Sequence, residues 1–218
     1  MHATTTTRST DRKSARNSEK TEQTKSQLLA SGVRLFSTFG YNATSTRSVE
    51  TDAEVQRNLL TYHFGSKESF WKACVRQLFD RFIESLRPSM EQARDIEPVE
   101  RIRFLIRKFV RASATYPEVM RIMFDEGRCD DWRLSWIVEQ YTRGFHGTVC
   151  DLLDDGRACG ALPKLTPMQF YYVLVSSGAM FAMAPECRKL SSEEPFDEST
   201  IDRQADAIAA MLAPGGGL

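Results

Sequence analysis

The chain has 218 residues, of which 41% are hydrophobic and 27% charged, the balance of a globular protein with room for one large or two small domains. Its formal net charge is +0, with an isoelectric point near 6.8, which excludes a global basic field and leaves any affinity for nucleic acid to local placement of charge. No run approaches the ~18 apolar residues of a membrane span. The amino terminus carries no apolar signal core, so a cytoplasmic protein without membrane partners is expected.

Residues 1–20, MHATTTTRSTDRKSARNSEK, hold almost no large apolar side chain and are expected to form a disordered arm. Arg8, Arg12, Lys13, Arg16 and Lys20 outweigh Asp11 and Glu19 there, so the arm is basic. Such a segment either touches phosphates or is simply a solvated tail. A DNA-binding domain is expected over residues 21–68, and an effector-binding and dimerisation domain over 69–218.

From Glu22 to Phe39 the apolar residues Leu28, Leu29, Val33, Phe36 and Phe39 recur at helical spacing, and Gly40 follows as a helix stop. Asn42 to Ser45 reads as a turn, with Ser45 or Thr46 capping the next helix. Thr46–Thr51 and Val55–Phe64 are expected to be two short helices joined through Asp52–Glu54, the pattern of a helix-turn-helix. Val49, Ala53, Val55, Leu60 and Phe64 would face a small core.

Between those core positions lie Thr46, Arg47, Gln56, Arg57, Asn58, Thr61, Tyr62, His63 and Lys67, the candidate DNA contacts. Arginine reads guanine edges in the major groove, and asparagine and glutamine read adenine. Hydroxyl, imidazole and ammonium groups suit phosphate oxygens, which position the protein without reading sequence. Arg57, Asn58 and Thr61 are expected to share the outward face of the second helix. Leu59 would be exposed beside them, where it could meet a thymine methyl.

Ser66 is expected to cap a long helix running through Phe70, Trp71, Cys74, Leu78, Phe79, Phe82 and Leu86 to a stop near Pro88. Its apolar face is too wide for one neighbour. Further helices are expected at Val99–Ala114, Pro117–Glu126, Asp131–Ala158, Pro167–Ala184 and Thr200–Leu212, several opening on a proline where the first turn tolerates it. With no alternating pattern of any length, the fold class is all-α.

Chemistry beyond DNA is sparse. The five cysteines show no paired metal spacing and read as free thiols in a reducing compartment. The three histidines, His2, His63 and His146, are not spaced with acids as metal ligands, and no nucleophile elbow or phosphate loop is present. No catalytic residue, metal site or cofactor is expected. The acidic run between Ser191 and Asp206 reads as a solubilising loop.

The segment LLASGVRLFSTFGYNATST, together with the exit L-T-Y-H-F-G-S-K-E, resembles the DNA-binding domain of the TetR family of bacterial transcriptional regulators. The resemblance spans roughly Gln23 to Trp71, while the rest of the chain matches in helical character and length. Glu54 stands where the family's turn commonly has glycine, and would be strained if that position needs a positive φ. Glu50 puts a charge where the family packs a small alanine.

The resemblance implies a cavity for a small, apolar or aromatic effector among the large side chains of the second domain. Met120, Phe124, Trp136, Gln140 and Tyr171 are the candidate ligand-binding residues. It also implies a homodimer, for which helix patterning nominates Leu174, Gly178, Phe181, Ile201, Ala205, Ile208 and Leu212 as the interface. The expected function is a ligand-responsive regulator, a repressor released from a palindromic operator. A helical ligand-binding or adaptor protein without operator binding remains the alternative at this level.

Overall fold

The structure is a computed structural model, and it describes residues 6–158, 162 and 164–214, with side chains from residue 18 onward except Ala158. Among the described residues every regular element is helical: α1 (Thr6–Ala43), α2 (Thr46–Asp52), α3 (Leu59–Phe64), α4 (Lys67–Gln92), α5 (Pro98–Thr115), α6 (Pro117–Glu126), α7 (Trp132–Ile137), α8 (Arg143–Ala158), α9 (Pro167–Ser176), α10 (Ala179–Ala182), α11 (Ala184–Leu190) and α12 (Glu198–Leu212). The chain divides into two compact units, Met1–Gln77 and Leu78–Leu218. The division therefore falls inside α4, downstream of the boundary expected at residues 68 and 69.

Helix α1 opens at Thr6, inside the segment expected to be disordered. Nothing between Thr6 and Gly32 breaks a helix, and Lys, Arg, Gln and Glu are good helix formers, so the turns extend beyond the buried face without needing a core. Met1–Thr5 lie outside the described residues. The expected stop at Gly40 is a kink, with φ 76° and ψ 170°. Thr44 closes this end by donating its hydroxyl to the Gly40 carbonyl at 2.9 Å, which satisfies one of the orphaned acceptors.

The core of the first unit forms around Leu28 and Phe36 of α1, Val49 of α2, Leu60 of α3, and Phe70, Trp71, Cys74 and Val75 of α4, all buried. Phe70 sits at the centre, with ring centroids 5.9 Å from Phe36 and 4.9 Å from Phe64. A polar brace ties α1 to α2 beside this core. The Ser31 hydroxyl lies 3.2 Å from the Val49 carbonyl and 2.5 Å from the Asp52 carboxylate, and Arg34 pairs with the same carboxylate. The Ser31 hydrogen bond holds the Asp52 carboxyl below its ordinary range; desolvation opposes it, and Arg34 adds to the lowering.

Ser66 caps α4 as expected, accepting from the Ser69 N–H at 3.0 Å. The helix does not stop at Pro88 but runs through it to Gln92. Ser89 and Ala93 are buried, so packing holds a last turn that proline alone would discourage.

In the second unit α5 and α12 run antiparallel. The two helices pack along their length, and Ile102, Ile106, Phe109 and Val110 of α5 and Ile201, Ala205, Ala209 and Leu212 of α12 are all buried. An arginine stripe on α5 flanks the seam. Arg103 donates to the Ala213 carbonyl at 2.6 Å, Arg107 pairs with Asp206 at 2.6 Å, and Arg111 reaches Glu198 at 2.9 Å as well as Asp202. Part of the acidic run is thus a register device for α12 rather than a solubilising loop. Each exposed pair adds little stability by itself.

Two expected helices are broken. Asp131–Ala158 becomes α7, a π-helical segment Val138–Thr142 and α8. Pro167–Ala184 becomes α9 and α10, and Ala184 opens a further helix, α11, with Pro185 in its first turn.

That break changes the reading of the proposed interface residues. Leu174, Phe181, Ile201, Ala205 and Leu212 are buried within a single chain, with Phe181 fully enclosed. A Cβ on Gly178 would lie 2.6 Å from Met120 Cγ and 3.1 Å from Ser113 Cβ, so this glycine serves close contact inside the unit. Of the seven, only Ile208 keeps appreciable exposure. Helical spacing identified the apolar stripe correctly, but α5 and α6 occupy it.

Candidate DNA interface and ligand cavity

Helix α2 begins with a capping box. Ser45 accepts from the Ser48 N–H at 2.9 Å, and Ser48 Oγ accepts from the Ser45 N–H at 3.0 Å. Thr46 and Arg47 occupy the first turn, Thr46 half-buried and Arg47 exposed. The remaining free N–H groups of such a turn suit a phosphate.

The connection is longer than expected, because α3 starts only at Leu59. Two residues with positive φ break the helix beforehand, Glu54 at 55° and Asn58 at 68°. Gln56, Arg57 and Asn58 are therefore exposed on the turn ahead of α3. They do not share a helical face with Thr61, as the uninterrupted helix would have required.

Asn58 occupies the N-cap position but makes no side-chain cap bond. The cap comes from elsewhere: buried Glu50 on α2 accepts from the Leu60 N–H at 3.0 Å. The acidic residue that seemed misplaced in the small core anchors the second helix to the first. It had no signal in local spacing, since its partner lies in another element.

On α3 the inward Leu60 is fully buried, while Thr61 and Tyr62 are exposed, Tyr62 at 80%. His63 is half-buried and meets the Tyr62 ring edge-on at 4.9 Å. Leu59 is half-buried rather than free. Gly65, at φ 79°, turns the chain into α4, and there the Lys67 ammonium sits 4.2 Å from the Tyr41 ring centroid. Tyr41 thus supports a candidate phosphate contact, a role that sequence reasoning did not assign to it.

Residues 28–74 match the model for bacterial regulatory proteins of the tetR family. This helix-turn-helix segment is therefore similar to the DNA-binding domain of the TetR family. The chain is 23% identical over 199 residues to the HTH-type transcriptional regulator RutR of Escherichia coli (strain K12), covering 88% of this chain and 89% of the relative. It is 40% identical to the HTH-type transcriptional dual regulator CecR of Shigella flexneri over 74 residues, which is 34% of this chain and 33% of that one. Among solved structures, the hemolysin II transcriptional regulator HlyIIR superposes with a TM-score of 0.63 at 18% identity, over 89% of this chain and 99% of that one. This last likeness is one of fold.

The second unit encloses a cavity of about 320 Å³ between α4, α5, α6, the π-helical segment, α8 and α9. Of the candidate ligand-binding residues, Met120, Gln140 and Tyr171 line it. Phe124 lines a neighbouring cavity of about 580 Å³, and Trp136 packs edge-on against Tyr141 at 6.0 Å and lines neither. Sequence reasoning missed Phe79, Phe82 and Phe145 on the wall. The signal for Phe79 and Phe82 was the over-wide apolar face of α4, which has a ligand-sized space as well as a helix to cover.

The two cavities differ in chemistry. The first has no acidic or basic side chain on its wall. The second has Glu126, Arg143 and His146, and the Glu126 carboxylate is held 2.6 Å from Arg133 in a buried pair. Burial pushes the Glu126 carboxyl up, and Arg133 pulls it back down. Tyr171 stands between both cavities, and burial raises its phenol above the ordinary range.

Proposed function

We propose that this chain is a ligand-responsive transcriptional regulator of the TetR family, a repressor released from a palindromic operator when a small molecule fills the cavity of its second unit. The observation that carries the reading is the helix-turn-helix itself. Leu60 is anchored inward by Glu50, and Arg57, Asn58, Thr61 and Tyr62 stand exposed beside it. Arg57 and Asn58 read base edges in this proposal. Thr46, Thr61, Tyr62, His63 and Lys67 hold phosphates, and Arg47 and Gln56 flank the groove. The regulatory names of RutR and CecR support the same direction.

One helix-turn-helix reads too few bases for useful specificity, so a dimer reads two half-sites about 34–36 Å apart or a multiple of that. In this proposal the copies pair through the outward faces of α9 and α12. There Tyr172, Val173, Ser176 and Ile208 line an open groove, and Met211 is 65% exposed. An effector that prefers one conformation of the dimer lowers operator affinity by mass action, on the order of 5–150-fold for ordinary coupling energies.

Selection of genomic fragments on the purified protein, followed by gel shift, tests the reading. A regulator retains a small set of fragments sharing a palindrome, and its retention falls when a cavity ligand is added. Uniform retention of all fragments would count against it.

A further inference from the structure

The cavity wall is specific about charge as well as size. Each group that could neutralise a buried ion is absent from it: no carboxylate, guanidinium, ammonium or imidazole lines the space. Asp80 is exposed and accepts from the hydroxyl of Tyr141, a wall residue, at 3.1 Å. An anion entering here would lose its water and gain no counter-ion, and the carboxylate hydrogen-bonded to a wall residue, Asp80 on Tyr141, would repel it. A cation would need open ring faces or an acid inside. The aromatic rings are committed to one another instead, Phe109 stacked on Phe145 at 5.5 Å and edge-to-face with Phe82 at 5.6 Å.

What the wall does offer in polarity is concentrated on one stretch. The π-helical turn Val138–Thr142 brings three consecutive residues, Gln140, Tyr141 and Thr142, to the same cavity. π-turns of this kind recur at functional sites. Gln140 is exposed at the mouth, beside Ile83 and Met90, which are 42% and 43% exposed.

We infer that the cavity takes an uncharged, mainly aromatic or branched apolar molecule, entered from the α4–α8 mouth and oriented by one polar group hydrogen-bonded to Gln140 and Thr142 of the π-turn. This rests on the reading of the cavity as the effector site. An ionised ligand belongs, by the same chemistry, to the neighbouring cavity with Glu126, Arg143 and His146.

Two glycines of α8 supply the test. Gly144 lines the cavity and Gly147 does not, and a Cβ at either meets nothing within 4 Å, so both accept a larger side chain without internal clash. The full chain, G144F and G147F are titrated calorimetrically with para-hydroxybiphenyl, with biphenyl carboxylate and with biphenylmethylammonium. The neutral compound is expected to bind wild type and G147F alike, and the charged analogues and G144F to bind about tenfold more weakly or worse, the cost of stranding a charge or blocking the mouth. Equal binding of a charged analogue, unweakened binding by G144F, or no binding of the neutral compound overturns the inference. The titration contains no DNA, so failure of operator binding would strike the regulatory reading and leave this result standing.

Discussion

The carboxylate of Glu50 on α2 accepts the backbone N–H of Leu60 on α3 at 3.0 Å, inside the core of the first unit. The bond does what Asn58 does not, since Asn58 sits at the helix N-cap in a left-handed conformation with its side chain unengaged. A charge in a small core is costly unless it is hydrogen-bonded. Here it is, and it fixes the helix whose outer face carries Thr61 and Tyr62.

Glu50→Ala should therefore lower stability by about 1–3 kcal/mol, because it strands a buried N–H. Glu50→Gln keeps an acceptor and should cost much less. Urea denaturation of the two variants measures the difference. Equal losses would mean that Glu50 acts through its charge rather than as a cap.

Glu54 adopts φ 55°, a region that L-residues other than Asn and Asp rarely enter. Glu54→Gly should relieve about 1 kcal/mol of strain, less the entropy glycine loses on folding. Thermal melting should show a small rise. A fall of several degrees would indicate that the Glu54 side chain makes a contact of its own.

Asp52 gives the first unit a dependence on acid. Its carboxyl is held below the ordinary value by Ser31 and Arg34, so its native pKa lies below its unfolded pKa. The brace is fully present above the ordinary carboxylate range and is lost as pH falls through the native pKa. Ser31→Ala should unfold at a higher pH than wild type in an acid titration followed by circular dichroism, with little change near neutrality beyond the lost hydrogen bond. Coincident acid transitions would remove the brace from the account.

How much of this was legible beforehand depended on whether the cause was local. Leu28, Phe36, Leu60 and Phe70 could be placed by helical period, and the bounds Pro117–Glu126 follow from a proline start and a glycine stop. The partnership of Glu50 with Leu60, the pairing of Lys67 with the Tyr41 ring and the arginine stripe on α5 required knowing which elements meet. The same gap explains the interface residues. An apolar stripe on α12 does not say whether a second copy or α5 will cover it. It also explains the break of α3 before Leu59, where consecutive polar residues fit a helix locally but Glu54 and Asn58 turn left-handed.

Assembly can be separated from folding by two substitutions. Ile208 lines the outward groove and is only half-buried, so Ile208→Asp should give a folded monomer with operator affinity reduced. Gly178→Trp should instead fail to fold, because its Cβ already meets Met120. Sedimentation velocity with circular dichroism distinguishes the outcomes. A folded dimer for Ile208→Asp would move the interface elsewhere.

The central claim is that the exposed turn and α3 read DNA, and the affinity of Arg57→Ala for operator and random duplexes tests it most directly. The account predicts a loss of about 1–3 kcal/mol on the operator with relaxed preference at one base position, while Lys67→Ala weakens all sequences alike and lowers the salt slope by about 1. Equal losses on operator and random DNA for both variants would contradict it.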